Sequence, residues 1–311
     1  MVFESEEDLC QSYRESHSET FTAEQTIGKR LVEEHAPKGL EGSLSLQADL
    51  VSEDPLSQDK ATLVECKLEF EHRAVGQLLM YDWLLKYDAQ IQEQSIHSID
   101  RQLALGESPP DQIPTICQDL SIDPQIWASG GWQSISQGAK KSEQKSHTDE
   151  EIVDSLAANA ASSLDSQAEN RVLESSAVDK LPGLQDKNLY REIPVGNNIF
   201  SGRNTAFVAD AIGYSPQIEA FYLIEVKQRP DIGGLQKAIG QSVNYSSLFR
   251  YEWGLPRHAV VPVVLIDQAP WITDVYRSTR YDSEEGMFKT GIAHTDQPVI
   301  LLNEVEVFQN L

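Results

Sequence analysis

Two short sets of residues in this chain have the types and spacing for metal-assisted chemistry. The first runs Asp49, then Glu65-Cys66-Lys67, then Gln77 and Tyr81. The second runs Asp210, then Glu225-Val226-Lys227, then Gln241 and Tyr245. The order is the same and the Asp-to-Glu gap nearly so. Residues two apart on a strand project from one face, which sets each Glu beside its Lys and turns Cys66 or Val226 into the core. The backbone carbonyl of that middle residue is left as a further oxygen ligand. An aspartate on the neighbouring strand adds a second carboxylate, giving the hard oxygen set that Mg²⁺ prefers. A lysine beside such an ion orients a water and offsets the gathered negative charge. Gln and Tyr in each half are one helical turn apart.

A Glu-x-Lys triplet alone is near chance in a chain of 311 residues and is read as an ordinary solvated cross-strand ion pair. The ordered set, occurring twice, is far less expected by chance than either triplet.

These residues need strands and a helix in a fixed order, and the sequence supplies candidates. Residues 1–20 are polar and acidic and read as a loose leader. The segment TAEQTIGKRLVEEH from Thr22 has helical spacing of Ile27, Leu31 and Val32. GSLSLQADLV and ATLVECKLEF read as an antiparallel strand pair, followed by a helix over HRAVGQLLMYDWLLKY with Val75, Leu78, Leu79, Trp83 and Leu84 on its apolar face. Strand, helix (Ile113 to Leu120) and strand then close a domain over 21–132. Residues 133–170 are rich in Ser, Gln and Lys and read as a polar, partly helical linker. Residues 171–311 repeat the order: a helix from Arg171 to Leu181, strands in LYREIPV, TAFVADAIGY and EAFYLIEVKQ, a helix from Leu235 to Phe249, and a strand in HAVVPVVLID. The repeat lies in pattern, with little residue identity.

The ordered set resembles the RecB-type branch of the PD-(D/E)XK, or restriction-endonuclease-like, nuclease superfamily, and the resemblance covers both halves. It implies an α/β fold of two tandem domains, each a mixed sheet flanked by helices, and hydrolysis of phosphodiester bonds in DNA ahead of RNA. By resemblance, Asp49, Glu65, Asp210 and Glu225 bind Mg²⁺ (or Mn²⁺). Lys67 and Lys227 assist the attacking water, and Gln77, Tyr81, Gln241 and Tyr245 position nucleic acid or the metal-site residues. Repair, recombination or defence against foreign DNA are roles of that family. Many members carry another glutamate on the preceding helix; Glu24, Glu33 and Glu34 compete for that role in the first half, and Glu174 is the comparable candidate in the second, where Glu192 falls in an expected strand. The two copies act as an internal pseudo-dimer, or one cuts while the other binds. The rival expectation is a nuclease fold without turnover, serving as a nucleic-acid-binding or assembly module.

Composition bounds these readings. The chain carries 25 basic and 49 acidic residues, a formal charge of -24, which repels phosphate backbones at ordinary ionic strength. The same acidity is typical of proteins from a salt-loaded, halophilic cytoplasm, where screening is strong. Arg229, Lys237, Arg250 and Arg257 are scattered bases near the second set, weak candidates for phosphate contact. The seven histidines have no metal-like spacing. Cys10, Cys66 and Cys117 are far apart in sequence and support neither a disulfide framework nor a structural zinc site. There is no apolar run long enough for a membrane helix, no signal-peptide pattern at the acidic start, and no GxxxxGK phosphate loop. A cytoplasmic, membrane-free protein is expected.

Overall fold

The computed structural model describes residues 3–28, 46–52, 60–91, 96, 98–110, 113–135, 147–174, 181–196, 207–228, 231–266, 289–290 and 299–303. These fall into two compact units divided at Lys140 and Lys141. Each is a mixed α/β unit, a sheet flanked by helices. No helix among the described residues is long and apolar enough to cross a membrane.

Unit 1 opens with helix α1 (Glu6–Ser16), where a loose leader was expected. Ser5 caps it by accepting the Asp8 N–H at 3.1 Å, and Glu6, Glu7 and Asp8 fill the first turn, where negative charge suits the helix dipole. Leu9 and Tyr13, one turn apart, are fully buried with Phe21, Leu50, Val64, Cys66 and Ala104. Burying two such side chains contributes roughly 3–6 kcal/mol. Tyr13 also meets Trp132 edge-on at 4.9 Å and donates to Gln102. That docking makes α1 part of the domain.

Strand β1 (Phe21–Thr26) follows, where the spacing predicts a helix from Thr22. Pairing with β2 (Gln47–Ser52) decides the matter over local helix propensity. Then come β3 (Lys60–Lys67), α2 (His72–Ile91), β4 (Ser98–Leu105), α3 (Ile113–Asp119), β5 (Ile122–Ala128) and β6 (Gly131–Ser134). The sheet order is β1-β2-β3-β4-β5-β6. β1, β2 and β3 pair antiparallel, β3, β4 and β5 parallel, and β6 antiparallel to β5. Helix α2 makes the crossover that parallel β3 and β4 require. From Ala74 to Leu85 every residue of α2 is buried, so it is a core helix and not the amphipathic one that the apolar face suggests. Asp82 on this helix is buried against Lys86 (2.5 Å) and Arg101 of β4 (3.2 Å).

Unit 2 begins with α4 (Asp149–Asn159), closed by a reciprocal capping box between Thr148 and Glu151, and α5 (Gln167–Leu173). α4 and the start of α5 lie within the stretch read as a partly helical linker. Ile152, Leu156, Leu164 and Leu173 are buried, and α4 packs on β7 while α5 packs on β9 and β10, so this stretch belongs to the second core. The helix expected from Arg171 to Leu181 ends at Leu173, and 175–180 lie outside the described residues. β7 (Leu189–Val195), β8 (Phe207–Ser215), β9 (Ala220–Lys227), α6 (Ile232–Trp253), β10 (Val260–Ile266), β11 (Lys289–Thr290) and β12 (Val299–Asn303) complete the unit. The sheet order is β11-β12-β10-β9-β8-β7. β7, β8 and β9 are antiparallel, β9, β10 and β12 parallel, and β11 antiparallel to β12.

The two sheets therefore share strand polarity position by position. They differ in one respect: β6 follows its neighbour β5 along the chain, whereas β11 precedes its neighbour β12.

Candidate metal centre

In each unit the predicted Asp, Glu and Lys meet on adjacent strands, and the predicted Gln and Tyr lie on the helix packed against them. Asp49 sits on β2 and Glu65 and Lys67 on the adjacent β3, with Gln77 and Tyr81 one turn apart on α2. Asp210, Glu225, Lys227, Gln241 and Tyr245 occupy the same places on β8, β9 and α6.

Where the strands part, the aspartate takes over the ladder. The Cys66 N–H donates to Asp49 Oδ2 at 2.8 Å, and the Val226 N–H to Asp210 Oδ2 at 2.6 Å. Each lysine ammonium then bridges the carboxylates. Lys67 Nζ is 3.5 Å from Asp49 Oδ2 and 3.6 Å from Glu65 Oε2; Lys227 Nζ is 3.5 Å from Asp210 Oδ2 and 3.4 Å from Glu225 Oε2. The ammonium also donates to the carbonyl of the middle residue, Cys66 O at 3.0 Å and Val226 O at 2.9 Å. This corrects the expectation that the carbonyl stands free. On the helix, Gln77 Nε2 donates to Tyr81 Oη at 3.4 Å and Gln241 Nε2 to Tyr245 Oη at 3.3 Å. Cys66 and Val226 are both in their cores, as strand alternation requires.

The electrostatics repeat as well. Burial pushes the Glu65 and Glu225 carboxyls well above the usual range; the neighbouring aspartate pushes the same way and the lysine opposes. Burial pulls on both lysines, but the carboxylates around them outweigh it and hold them above the ordinary lysine value. Burial raises the Tyr245 phenol to about 12, so it is protonated at neutral pH.

Four buried oxygens lack a hydrogen-bond partner in matching places: Glu65 Oε1 and Gln77 Oε1 in unit 1, Glu225 Oε1 and Gln241 Oε1 in unit 2; Glu65 Oε2 is a fifth. An unsatisfied buried oxygen is costly unless something binds it. Acceptor-only oxygens next to a second carboxylate match the donor set of a hard divalent cation, so the residues fit Mg²⁺ or Mn²⁺.

Several site residues escaped the sequence reading. The helix glutamate in unit 1 is Glu6, whose Oε2 lies 3.1 Å from Lys67 Nζ. Its counterpart in unit 2 is Glu169 on α5, a half-buried carboxyl raised by burial and interacting with Lys227 and Asp210. Of the expected candidates, Glu24 lies exposed on β1, Glu174 is exposed just past the end of α5, and Glu33 and Glu34 lie outside the described residues. Glu24 nevertheless has a twin. Register pairs Ala23 with Leu50 and Gln25 with Ala48, which sets Glu24 opposite Asp49; in unit 2, Arg191 pairs with Ala211 and Ile193 with Ala209, setting Glu192 opposite Asp210. Both glutamates are left-handed, φ 49° and 51°, and each is followed at the same spacing by a left-handed glycine, Gly28 (φ 70°) or Gly196 (φ 80°). Such backbone is uncommon for a non-glycine residue, and it recurs beside both aspartates. Glu192 is half-buried, accepts the Asp165 N–H at 3.2 Å, and is raised by burial and by Asp210 and Asp165. The shared Glu-x-x-x-Gly spacing is the signal that sequence inspection passed over.

The scattered bases do not converge. Arg250 is buried in α6, Lys237 is exposed, Arg257 is half-buried in a short turn, and Arg229 lies outside the described residues.

No protein-family model, curated protein or solved structure matches this chain. The internal agreement of its two units therefore carries the comparison.

Proposed function

We propose that the chain is a divalent-metal-dependent nuclease of the PD-(D/E)XK kind, acting on DNA, with one hydrolytic site in each unit. The observation that carries this reading is the twofold convergence of two carboxylates on one lysine beside partnerless Glu and Gln oxygens. The buried Asp82 oxygens also lack hydrogen bonds but are paired with Lys86 and Arg101 in unit 1, so the arrangement that supports the reading is the convergence of two carboxylates on one lysine in both units.

Asp49 and Glu65, and Asp210 and Glu225, would hold Mg²⁺ or Mn²⁺, with Glu6 or Glu169 nearby. When bound, the cation supplies Lewis-acid stabilisation of phosphate charge and lowers the pKa of a water. Lys67 and Lys227, kept protonated by their neighbours, act as donors: they orient the attacking water and offset negative charge. Gln77 and Gln241 each offer a buried acceptor on the helix packed against the Glu–Lys strand, and the neutral Tyr245 phenol keeps a donor beside Gln241. One chain thereby supplies the pair of sites that a symmetric dimer assembles from two.

A charge of -24 is the observation that favours the other reading, a nuclease fold retained for binding or assembly. A halophilic setting reconciles the charge with DNA, because molar salt shortens electrostatic range to about 3 Å. Cleavage of double- and single-stranded DNA with Mg²⁺ or Mn²⁺, at low and high salt, separates the two. Partial loss in Glu65→Ala and Glu225→Ala and full loss in the double variant is the expected result. Undiminished cleavage by the double variant overturns the site; binding without cleavage under every condition favours the module.

A further inference from the structure

All three cysteines of the chain lie in unit 1, and two of them meet. Cys10 on α1 and Cys66 on β3 join Asp49 on β2, their ligand atoms all within 4.8 Å of one another. Three ligand atoms come from three different elements. Cys66 is buried and Cys10 half-buried, so the cluster is walled by the sheet on one side and reachable on the other. In unit 2 the position of Cys66 is Val226, which packs in one buried cluster with Leu173 from α5. An aliphatic residue thus satisfies the same place in the fold, and packing alone does not call for sulfur.

We propose that unit 1 carries a second cation site, in which Cys10 Sγ, Cys66 Sγ and an Asp49 oxygen take a thiophilic divalent ion of the zinc class, in competition with the hard cation that shares Asp49. Tetrahedral zinc with Zn–S bonds of about 2.3 Å holds its sulfurs roughly 3.8 Å apart, so shifts of about 1 Å or less bring the three ligands into place. A disulfide demands a much closer approach of the sulfurs, about 2.05 Å. Binding exchanges two thiol protons to solvent for two metal–sulfur bonds, and water completes the fourth position, as in an open zinc site. Two divalent ions drawn to the same carboxylate repel each other, so the ion and the hard cation compete for Asp49; this consequence rests on the nuclease reading, whereas the binding itself does not. Unit 2, with Val226, is insensitive.

The test uses the full chain, reduced with a phosphine and free of Mg²⁺ and DNA, titrated with Cd²⁺ while the cadmium–thiolate charge-transfer absorption is followed in the ultraviolet. The expected result is a band saturating at one equivalent and displaced by Zn²⁺. It falls to about half in Cys10→Ala and likewise in Cys66→Val, vanishes in the double variant, and is unchanged in Cys117→Ala. Asp49→Asn keeps the band but weakens affinity about tenfold or more. Cys66→Val installs the residue of unit 2 and Cys10→Ala alters a half-buried position, so circular dichroism checks that each variant folds. No band at one equivalent, or an undiminished band in both single-cysteine variants, overturns the site. In a Glu225→Ala background, Zn²⁺ is expected to suppress Mg²⁺-dependent cleavage, and Cys10→Ala to relieve that suppression. A cadmium band without suppression of cleavage leaves the thiol site standing and overturns the competition through Asp49.

Discussion

Replacing Glu225 with Gln is expected to reverse which protein, wild type or variant, melts first, depending on whether Mg²⁺ is present. Glu225 Oε2 and Asp210 Oδ2 lie 3.4 and 3.5 Å from the same ammonium. Geometry therefore keeps the two oxygens no more than about 7 Å apart, and at an effective dielectric constant near 20 their charges repel by about 2 kcal/mol or more. Attraction of Glu225 to Lys227 is about 5 kcal/mol on the same scale, and desolvating a carboxylate costs several kcal/mol. The unfavourable side wins, in keeping with the raised Glu225 carboxyl. Without metal, Glu225→Gln is thus expected to stabilise unit 2 by about 1 kcal/mol at pH 8, or about 2–4 °C. With Mg²⁺ at 100 times its dissociation constant unit 2 of the wild type gains about 2.7 kcal/mol and unit 2 of the variant does not, while unit 1 is stabilised alike in both. The sign of the pH dependence is fixed: a carboxyl raised in the folded state destabilises above its unfolded pKa of about 4.3, so the metal-free advantage of Gln shrinks as pH falls toward 4. Differential scanning calorimetry of the full chain, with and without Mg²⁺, reads all three. Equal Mg²⁺ stabilisation of both proteins, or a variant that is less stable without metal, refutes the reasoning.

Lys227→Met removes the cation shared by Asp210 and Glu225, and is expected to reduce cleavage partially, as Glu225→Ala does, and to cost about 3 kcal/mol in metal-free urea unfolding of unit 2, less at low pH where the carboxyls are protonated. At Glu192 the left-handed backbone inverts the usual preference: Glu192→Gly is expected to be about 1 kcal/mol more stable than Glu192→Ala, whereas at an ordinary strand position Ala wins. Ala equal to or better than Gly by thermal melting counts against strain at that position. Arg101→Met strands the buried Asp82 with Lys86 alone and is expected to cost about 3–5 kcal/mol in unit 1, with Mg²⁺-dependent melting of unit 2 unchanged.

Much of the site was readable because its residues lie on the most strongly patterned elements. β3 and β9 are largely apolar runs interrupted by Glu and Lys, and in β3 by Thr62, and α2 and α6 are long enough to be unambiguous. What escaped depends on contacts distant in sequence. Phe21 to Thr26 contains good helix formers and becomes a strand only by pairing with β2. Helix α1 offers Leu9 and Tyr13 as its buried residues in an acidic stretch, too few to stand out, although Ser5 and the acidic first turn marked its start. Glu6 and Glu169 went unseen for the same reason, since short helices hold them in place. Likewise Cys10 and Cys66 have no motif spacing; the docking of α1 alone brings them together.

The differing chain order of the last strands limits how far the two units correspond. A helix bearing a glutamate, three antiparallel strands, a long helix and a parallel strand recur in both units in one order, but the outermost strand arrives after its neighbour in one sheet and before it in the other. The part common to both units is the smaller segment that builds the carboxylate–lysine cluster, and the outer rim of each sheet is built differently. Substitutions mapped in one unit should therefore transfer to the other through β4 and β10, and lose their correspondence beyond.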